Sequence, residues 1–398
     1  MAEWIECKIS DIGTVVGGAT PSTKKTEYYE GGNIAWITPK DLATFSGRYI
    51  QRGERNITEI GLKSCSTQLL PQNTVLFSSR APIGYVAIAA NEVCTNQGFK
   101  SVIPNEVTDP LFLFYLLKYN KDRIEGMGSG TTFKEVSGNT MKNIVVNVPA
   151  DKELQTKIAS LLGAIDDKIE ENERINNNLE QQAQALFKSW FIDYEPFDGQ
   201  VPTTWKYGVL GDFVEIKRGG SPRPIQNFLS DSGLHWLKIS DATSISSPFI
   251  NEIKEYIIEE GLKKTIFLKA GSLVLSNSAT PGLPKILDID TCIHDGWLYF
   301  PSSKFSNEYL YLYFKHIRDN LVALGNGSVF TNLKTDILKN YPTNLPTDEV
   351  LNEFDEIIKP IFSMILSKTR ESKRLTEIRD TLLPRLMSGE LDVSNIDL

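Results

Sequence analysis

The chain has 398 residues, of which 41% are hydrophobic and 23% charged, a composition typical of a globular protein. Its length exceeds what a single hydrophobic core usually covers, so we expect two to four structural units. The four cysteines are widely spaced, which excludes a disulfide framework and a CxxC zinc site and predicts reduced thiols in a cytoplasmic protein. No apolar stretch of 18 residues occurs, and the N-terminus lacks a basic region followed by an apolar run, so we expect neither membrane insertion nor secretion.

Residues 1–150 predict a mixed α/β module. Short apolar runs rich in β-branched and aromatic residues, bounded by Gly, Pro, Asn or Ser, predict strands at residues 34–37, 75–77, 85–88 and 144–146. Residues 110–117 are apolar on nearly every side and predict a buried helix.

Residues 151–198 predict a long helical region. Apolar side chains at alternating spacings of four and three residues form a seam for pairing with another helix, consisting of Ile158, Leu162, Ile165, Ile169, Leu179 and Leu186. The polar residues Asn172 and Asn176 interrupt this seam. Gly163 disfavours the interior of a helix, which predicts a bend near the beginning of the region.

Residues 199–346 and 347–398 repeat this order of a module and a helical region. Strands are predicted at 235–239 and 273–275, and a buried helix at 308–314. The second helical seam consists of Leu351, Phe354, Ile358, Ile361, Ile365, Leu375 and Leu382. Pro360 predicts a bend here as well. Two such helices would pair most readily with each other as a coiled coil, and separate helices lying on the modules are the alternative.

Matching residues recur about 200 positions apart. Trp4 and Asp11 recur as Trp205 and Asp212 at an offset of 201 residues, and Cys94 recurs as Cys292 at an offset of 198. The offset only shrinks along the chain, as small deletions in a duplicated unit would produce. The sequence therefore predicts two similar α/β modules joined by two long antiparallel helices with approximate twofold symmetry. A helical run near 35 residues spans roughly 50 Å, with one module at each end.

The net charge of −8 is unevenly distributed. The two modules carry +1 each, whereas the helical regions carry −6 at residues 151–198 and −4 at residues 347–398. Acidic helices repel phosphates, so we expect the helices to serve as a scaffold or as a surface for protein partners. The nearly neutral modules leave binding of nucleic acid open.

Three stretches carry a resemblance to a known family. Residues 155–166, QTKIASLLGAID, lead into residues 186–193, LFKSWFID, and this pair resembles the central conserved region of the specificity subunits of type I restriction-modification systems. Residues 382–391, LLPRLMSGEL, look like the distal conserved region of that family. Residues 202–205, PTTW, followed by residues 210–212, LGD, are similar to the entry into its second target recognition domain. The resemblance covers the whole chain.

The resemblance implies a noncatalytic DNA-binding subunit. Two target recognition domains, here residues 1–150 and 199–346, would bind the two halves of a bipartite, asymmetric double-stranded DNA site, and the helices at residues 151–198 and 347–398 would set their separation. Two methyltransferase subunits would dock on the helices, and restriction-translocation subunits would join them. S-adenosylmethionine, Mg and ATP would be bound by those partners and no cofactor by this chain. The alternative is the specificity subunit of a related methylation-only or phage-exclusion system.

Polar residues in the predicted loops are candidates for DNA contact, because small residues let the backbone approach, cations neutralise phosphates and amides suit adenine. Solvated turns and loops held by their own hydrogen bonds are the alternative. The candidates are Thr20, Ser22, Thr23, Lys24, Lys25, Ser78, Ser79, Arg80, Asn96, Gln97, Lys217, Arg218, Ser221, Arg223, Ser276, Asn277 and Ser278.

Motifs for catalysis are absent from the sequence. His235, His294 and His316 are scattered and form no HExxH motif, so we expect neither catalytic nor metal-binding residues. The chain contains no [DN]PP[YF] motif of an adenine methyltransferase and no GxGxxG loop. The glycine-rich residues 126–130 lack the GK[ST] ending of a phosphate-binding loop, so a structural loop is expected there. Methylation would have to come from a partner.

Overall fold

A computed structural model describes residues 3–80, 82–130, 134–325, 332–394 and 396. The chain divides into two compact units. Unit 1 comprises Met1–Glu170 and Arg374–Leu398, and unit 2 comprises Glu171–Lys373. Each unit contains one copy of the repeat together with segments of two long helices.

Unit 1 is a mixed α/β structure. Its strands are β1 (Trp4–Lys8), β2 (Gly13–Gly17), β3 (Ile34–Ile37), β4 (Tyr49–Ile50), β5 (Arg55–Ile57), β6 (Val75–Phe77), β7 (Val86–Ala89), β8 (Cys94–Thr95), β9 (Lys100–Pro104) and β10 (Val145–Pro149). Its short helices are α1 (Ile9–Ile12), α2 (Pro39–Ala43), α3 (Glu59–Lys63), α4 (Pro110–Tyr119), α5 (Lys121–Gly126) and α6 (Gly138–Lys142), with a 3-10 turn at Thr26–Tyr28. The predicted strands and the predicted helix are present, with shifts at the ends.

Helix α4 shows how local sequence determines an element. The Asp109 carboxylate accepts a hydrogen bond from the Phe112 backbone N–H at 2.8 Å, and Pro110 occupies the first turn, where a missing N–H costs nothing. Residues 112–117 are all buried, as an all-round apolar helix must be. They pack in one hydrophobic core with Ile158 and Leu162.

Three sheets organise unit 1. A five-stranded sheet has the order β2-β9-β6-β7-β4, in which β4 runs parallel to β7 and the other pairs are antiparallel. A second sheet has the order β5-β3-β8, with β3 parallel to β8. Strands β1 and β10 pair antiparallel and bring the two ends of the repeat together.

Helix α7 (Lys152–Phe191) follows unit 1's strands, and unit 2 continues from it. The strands of unit 2 are β11 (Lys206–Val209), β12 (Val214–Arg218), β13 (Leu229–Ser230), β14 (Leu234–Leu237), β15 (Phe249–Ile250), β16 (Tyr256–Ile257), β17 (Ile266–Leu268), β18 (Leu273–Ser276), β19 (Pro284–Leu287), β20 (Thr291–Ile293), β21 (Trp297–Ser303) and β22 (Pro342–Leu345). Its helices are α8 (Leu210–Phe213), α9 (Ile239–Ser244), α10 (Asn307–Gly325) and α11 (Thr335–Lys339), followed by the long α12 (Asp348–Met387); 3-10 turns lie at Glu195–Phe197, Ile225–Asn227 and Glu259–Lys264.

Unit 2 repeats the topology of unit 1. The order β12-β21-β18-β19-β15 matches the five-stranded sheet of unit 1 strand for strand, including the parallel pair at its edge. The order β16-β14-β20 matches β5-β3-β8, again with one parallel pair, and unit 2 adds β13 and β17 at the edges. Strands β11 and β22 pair as β1 and β10 do. The predicted fold of two similar α/β modules with two long helices is confirmed.

Each long helix is continuous through Gly163 or Pro360, so neither residue ends its helix or divides it into a short and a long one. Gly163 is tolerated because it admits a neighbour: a Cβ atom there would lie 3.1 Å from Leu111 Cδ2 and 3.3 Å from Arg48 Nη1. Pro360 is exposed, and so is Glu356, whose carbonyl lacks the N–H partner that another residue at position 360 would supply. Tertiary packing outweighs the local preference at Gly163, and exposure to solvent lessens its cost at Pro360.

The predicted seam residues lie inward on both helices, in each unit by itself. In unit 1, Ile158 and Leu162 are buried and Leu382 packs beside them, whereas Ile165, Ile169 and Leu375 are half-buried. In unit 2, one core includes Leu179, Leu186, Leu351, Phe354, Ile358, Ile361 and Ile365. That core also contains Phe187 and Phe362, which the predicted seam omitted.

Polar contacts give the direction of pairing within unit 2. The Asn172 amide donates to Glu371 at 3.2 Å, and the Asn176 amide donates to the Thr369 hydroxyl at 3.2 Å. As the residue number rises along α7 it falls along α12, so the paired segments are antiparallel. Among the described residues, no helix combines the length and apolar character needed to cross a membrane.

Candidate nucleic-acid interface

Three predicted loops of unit 1 meet at the ends of neighbouring strands. We call residues 17–25, 78–80 and 96–98 the unit-1 loop cluster. The Ala19 N–H donates to the Thr95 carbonyl at 3.0 Å, and the Ser79 N–H donates to the Gly98 carbonyl at 2.7 Å. The Thr20 hydroxyl donates to the Gln97 side-chain oxygen. Candidate residues from three distant parts of the sequence therefore share one surface region.

The corresponding loops of unit 2 meet in the same way. The unit-2 loop cluster consists of residues 217–223, 276–278 and 294–296. The Asn277 N–H donates to the Gly296 carbonyl at 2.9 Å, and the Gly220 N–H donates to the Ile293 carbonyl at 3.3 Å. The Ser221 hydroxyl donates to the Asp295 carboxylate at 2.5 Å.

Matching hydrogen bonds hold the backbone of the two loop clusters in place. Thr67 donates its hydroxyl hydrogen to the Thr95 carbonyl at 2.9 Å, and Thr265 donates to the Ile293 carbonyl at the same distance. The tight turn at residues 96–98 of unit 1, and that at residues 294–296 of unit 2, is closed by the side chain of its first residue. The Gly98 N–H donates to Asn96 Oδ1 at 2.9 Å in unit 1. The Gly296 N–H donates to His294 Nδ1 at 2.8 Å in unit 2. Both clusters are built on one backbone frame.

Several candidate side chains belong to this frame and not to its surface. Ser78 and Ser79 are fully buried; Ser78 donates to the Pro82 carbonyl at 2.9 Å and accepts from the Tyr85 N–H at 2.8 Å. Ser276 is also fully buried and holds the equivalent turn, donating to the Thr280 carbonyl. Asn277 is buried as well, and its amide donates to the Asp295 carbonyl at 3.2 Å. These four side chains stabilise the loops from within.

The other unit-1 candidates reach solvent. Thr20 and Asn96 are half-buried, and the remaining ones are exposed, namely Ser22, Thr23, Lys24, Lys25, Arg80 and Gln97. Arg80 forms an ion pair with Glu135 at 3.0 Å. Burial raises the pKa of Glu135, but hydrogen bonds from Arg80 and Lys100 outweigh it and lower that pKa overall. Arg80 thus faces solvent as part of a paired group.

In unit 2 the exposed candidates are the cations. Lys217, Arg218 and Arg223 are exposed, whereas Ser221 and Ser278 are half-buried. Lys217 pairs with Glu215 at 2.8 Å. The exposed cations can neutralise phosphates, and the hydroxyls can donate hydrogen bonds. Contact with a DNA backbone needs both.

Asp295 was absent from the predicted contacts but connects several of them. Arg223 Nη2 lies 3.2 Å from Asp295 Oδ2, and Arg218 Nε donates to the Asp295 carbonyl at 2.5 Å. The hydrogen bond from Ser221, aided by the charges of Arg218 and Arg223, lowers the pKa of Asp295 against the opposing effect of burial. The offset of 198 residues from Gln97 is the sequence signal that identifies this residue.

A cavity of about 820 Å³ lies beside the unit-2 loop cluster. Its lining includes Ser221, Arg223 and Ser278 together with Trp236 and His294. Burial lowers the pKa of His294, which favours the neutral ring at pH 7. Among the residues that the structure describes, no three His, Cys, Asp or Glu side chains are grouped so as to hold a metal ion.

Comparison with known proteins identifies relatives over the whole chain. The model of the type I restriction modification DNA specificity domain matches residues 1–181 and again residues 202–378. The type I restriction enzyme MjaIX specificity subunit of Methanocaldococcus jannaschii is 35% identical over 416 residues, covering 99% of this chain and 95% of that protein. The HindI specificity subunit of Haemophilus influenzae is 25% identical over 472 residues, covering 98% of this chain and 100% of that protein.

A solved structure shares the fold. The S subunit of a type I restriction-modification system from M. genitalium superposes with a TM-score of 0.61 at 16% identity, covering 97% of this chain and 96% of that one. The duplicated family match coincides with the duplicated sheets and loop clusters. This chain belongs to the family of type I restriction-modification DNA specificity subunits.

Proposed function

We propose that this chain selects a bipartite, asymmetric DNA site, with the unit-1 loop cluster contacting one half and the unit-2 loop cluster the other. The target recognition domains would be residues 1–150 and 199–346, with residues 151–198 and 347–398 as the helical regions. The observation that carries the proposal is the pair of loop clusters, which share one backbone frame and differ in their exposed side chains. A shared frame with different contacts suits two unlike half-sites.

Two kinds of contact are proposed. Exposed cations such as Lys24, Lys25 and Arg218 would bind phosphates and fix the position of each unit on the duplex. Side chains between them would contact base edges, which carry the sequence information. The buried serines at positions 78, 79 and 276 are left out of this contact surface.

The helices would carry the protein partners. Ile357 and Met364 on α12 are 42% and 51% exposed and lie seven residues apart, so they share one face of the helix. Both lie in the first half of α12, residues 348–367, which carries five acidic side chains and one basic side chain. Exposed apolar side chains in an acidic segment favour docking of another protein over contact with DNA. We propose two methyltransferase subunits as the docked partners, with restriction-translocation subunits joining them. S-adenosylmethionine, Mg and ATP would be bound by those subunits.

Reconstitution tests this function. This chain alone, given S-adenosylmethionine, should leave DNA unmethylated, and so should the cognate methyltransferase subunit alone. Together they should methylate adenines in one bipartite sequence, mapped by single-molecule sequencing of the treated DNA. Methylation by this chain alone, or methylation without a bipartite consensus, would contradict the proposal.

The names of the relatives favour a restriction system over a methylation-only one, since they are restriction enzymes. Adding the restriction subunit and ATP to the reconstituted complex separates the two. Cleavage of unmethylated DNA that carries the site is expected. An intact substrate would favour the methylation-only alternative.

A further inference from the structure

The two loop clusters differ at one equivalent position. The Thr20 hydroxyl donates to the Gln97 amide oxygen in unit 1, and the Ser221 hydroxyl donates to the Asp295 carboxylate in unit 2. Each hydroxyl precedes a buried proline, and each acceptor lies just before the glycine that closes the same turn. In both units a hydroxyl therefore orients one side-chain acceptor, which is an amide in unit 1 and a carboxylate in unit 2.

The charge around the acceptor changes with it. The Asp295 carboxylate forms ion pairs with Arg223 at 3.2 Å and with Arg218 at 3.8 Å. In the repeat, Ser22 of unit 1 corresponds to Arg223 of unit 2, so unit 1 has an uncharged residue at this position. Unit 2 combines an anion with arginines, and unit 1 offers an uncharged amide.

Accessibility fits contact with a base edge. The Arg223 side chain is 78% exposed and that of Asp295 is 38% exposed, although its carboxylate is anchored by Ser221. Arg223 also lines the cavity of about 820 Å³, so this position borders a concave surface. An arginine held at one edge by a carboxylate keeps free N–H groups in a fixed plane, which lowers the entropy lost on binding.

We propose that Asp295 and Arg223 form the base-reading position of unit 2 and recognise a G·C pair, whereas Gln97 forms the equivalent position of unit 1 and recognises an A·T pair. Arg223 donates to guanine O6 and N7, with Asp295 as its positioning residue. The Gln97 amide pairs with adenine N6 and N7. This inference rests on the proposed function, because it assumes that each loop cluster meets one half-site.

The test uses the full chain reconstituted with its methyltransferase subunit, and the methylated consensus is the readout. Asp295→Asn and Arg223→Gln should each lower the preference for one G·C pair by about 10- to 100-fold, in one half of the site only. Asp290→Asn is the matched control, since Asp290 lies at the other end of β20 and pairs with Lys269 at 2.7 Å. This control removes the same charge from the same unit and should keep the consensus.

A transplant tests the equivalence directly. Ser22→Arg combined with Gln97→Asp places the unit-2 side chains on the unit-1 frame, and the first half should shift its preference at one position from A·T towards G·C. An unaltered first half would overturn the inference.

Three other outcomes would each overturn part of the inference. An unchanged consensus for Arg223→Gln overturns the inference even where Asp295→Asn fails to fold, because the exposed Arg223 side chain carries little of the stability. Loss of preference in both halves from either variant overturns the assignment of one unit to one half-site. A wild-type complex without any bipartite consensus overturns the proposed function itself.

Discussion

Unit 1 and unit 2 both pack apolar side chains against their segments of the long helices, but each adds contacts of its own. In unit 1 the buried Arg48 reaches α7, where it donates to the Gly163 carbonyl at 3.2 Å and pairs with Asp167 and with Glu170. In unit 2 an aromatic cluster packs on α7, where the ring of Phe187 contacts those of Tyr309 and Phe354. The two units share a sheet topology, so one duplicated backbone contacts the helices through different side chains in each unit.

Removing the aromatic attachment should have the largest effect. Phe187 is 2% exposed and its ring centroid lies 5.2 Å from that of Tyr309. Phe187→Ala should lower the free energy of unfolding by about 3–5 kcal/mol, because it removes apolar contacts and leaves a cavity. Leu324→Ala, at a side chain that is 62% exposed, is the control and should change stability by less than about 0.5 kcal/mol. Urea denaturation measures both, and equal effects would refute the aromatic attachment.

Removing the arginine attachment should have the second-largest effect on the free energy of unfolding. The Arg48 side chain is only 6% exposed, but that of its partner Asp167 is 71% exposed and stays hydrated when the arginine is lost. Arg48→Ala should therefore cost about 2–4 kcal/mol, below the full penalty of a stranded buried charge. Lys40→Ala removes a solvent-exposed pair with Glu54 and should leave the unfolding curve unchanged. A silent Arg48→Ala would show that apolar contacts alone attach α7 in unit 1.

The buried cation of unit 2 should reveal itself in the pH dependence of stability. Lys285 donates to the Ile245 and Ser247 carbonyls at 2.6 and 2.5 Å, and burial lowers its pKa from 10.5 to about 8. Unfolding then takes up a proton between these two values, so stability should rise as the pH increases from 8 to 10.5. The gain relative to Lys285→Met should approach about 3 kcal/mol. Parallel stability curves for the two proteins would contradict the lowered pKa.

The smallest effect on stability is expected from replacing Gly163 with alanine, which tests how closely Leu111 and Arg48 pack against α7. Gly163→Ala would place a Cβ atom 3.3 Å from Arg48 Nη1, so crowding should outweigh the gain in helix propensity and cost about 1 kcal/mol. Gly126→Ala meets no atom within 4 Å among the described residues and should be neutral or stabilising. Thermal unfolding of the two variants compares them, and a stabilised Gly163→Ala would mean that Arg48 has room to move.

The sequence was sufficient for the architecture because the repeat and the apolar periodicity both reflect burial. The strands at residues 34–37 and 75–77 are bounded by turn residues, and the all-round apolar helix at residues 110–117 has no alternative to a buried position. Neither Gly163 nor Pro360 interrupts its helix, because each carries only a local penalty. Packing against Arg48 offsets this penalty at Gly163, and exposure to solvent lessens it at Pro360.

The candidate site was predictable only in part. The loops rich in small and basic residues were found from their composition, but which loops meet depends on the order of strands in the sheet. Ser78 looks like a solvated loop residue in the sequence, yet its hydroxyl binds its own turn at the Pro82 carbonyl. Asp295 is the counterpart of Gln97 in the repeat, but only its contacts with Ser221 and Arg223 show what it orients.

Each unit is proposed to specify one half of the DNA site. The most direct measurement replaces residues 1–150 with the corresponding module of another specificity subunit, assembles the hybrid with the native methyltransferase subunit, and maps methylated adenines by single-molecule sequencing. A new sequence is expected in one half of the site and the original sequence in the other. A change in both halves, or in neither, would contradict it.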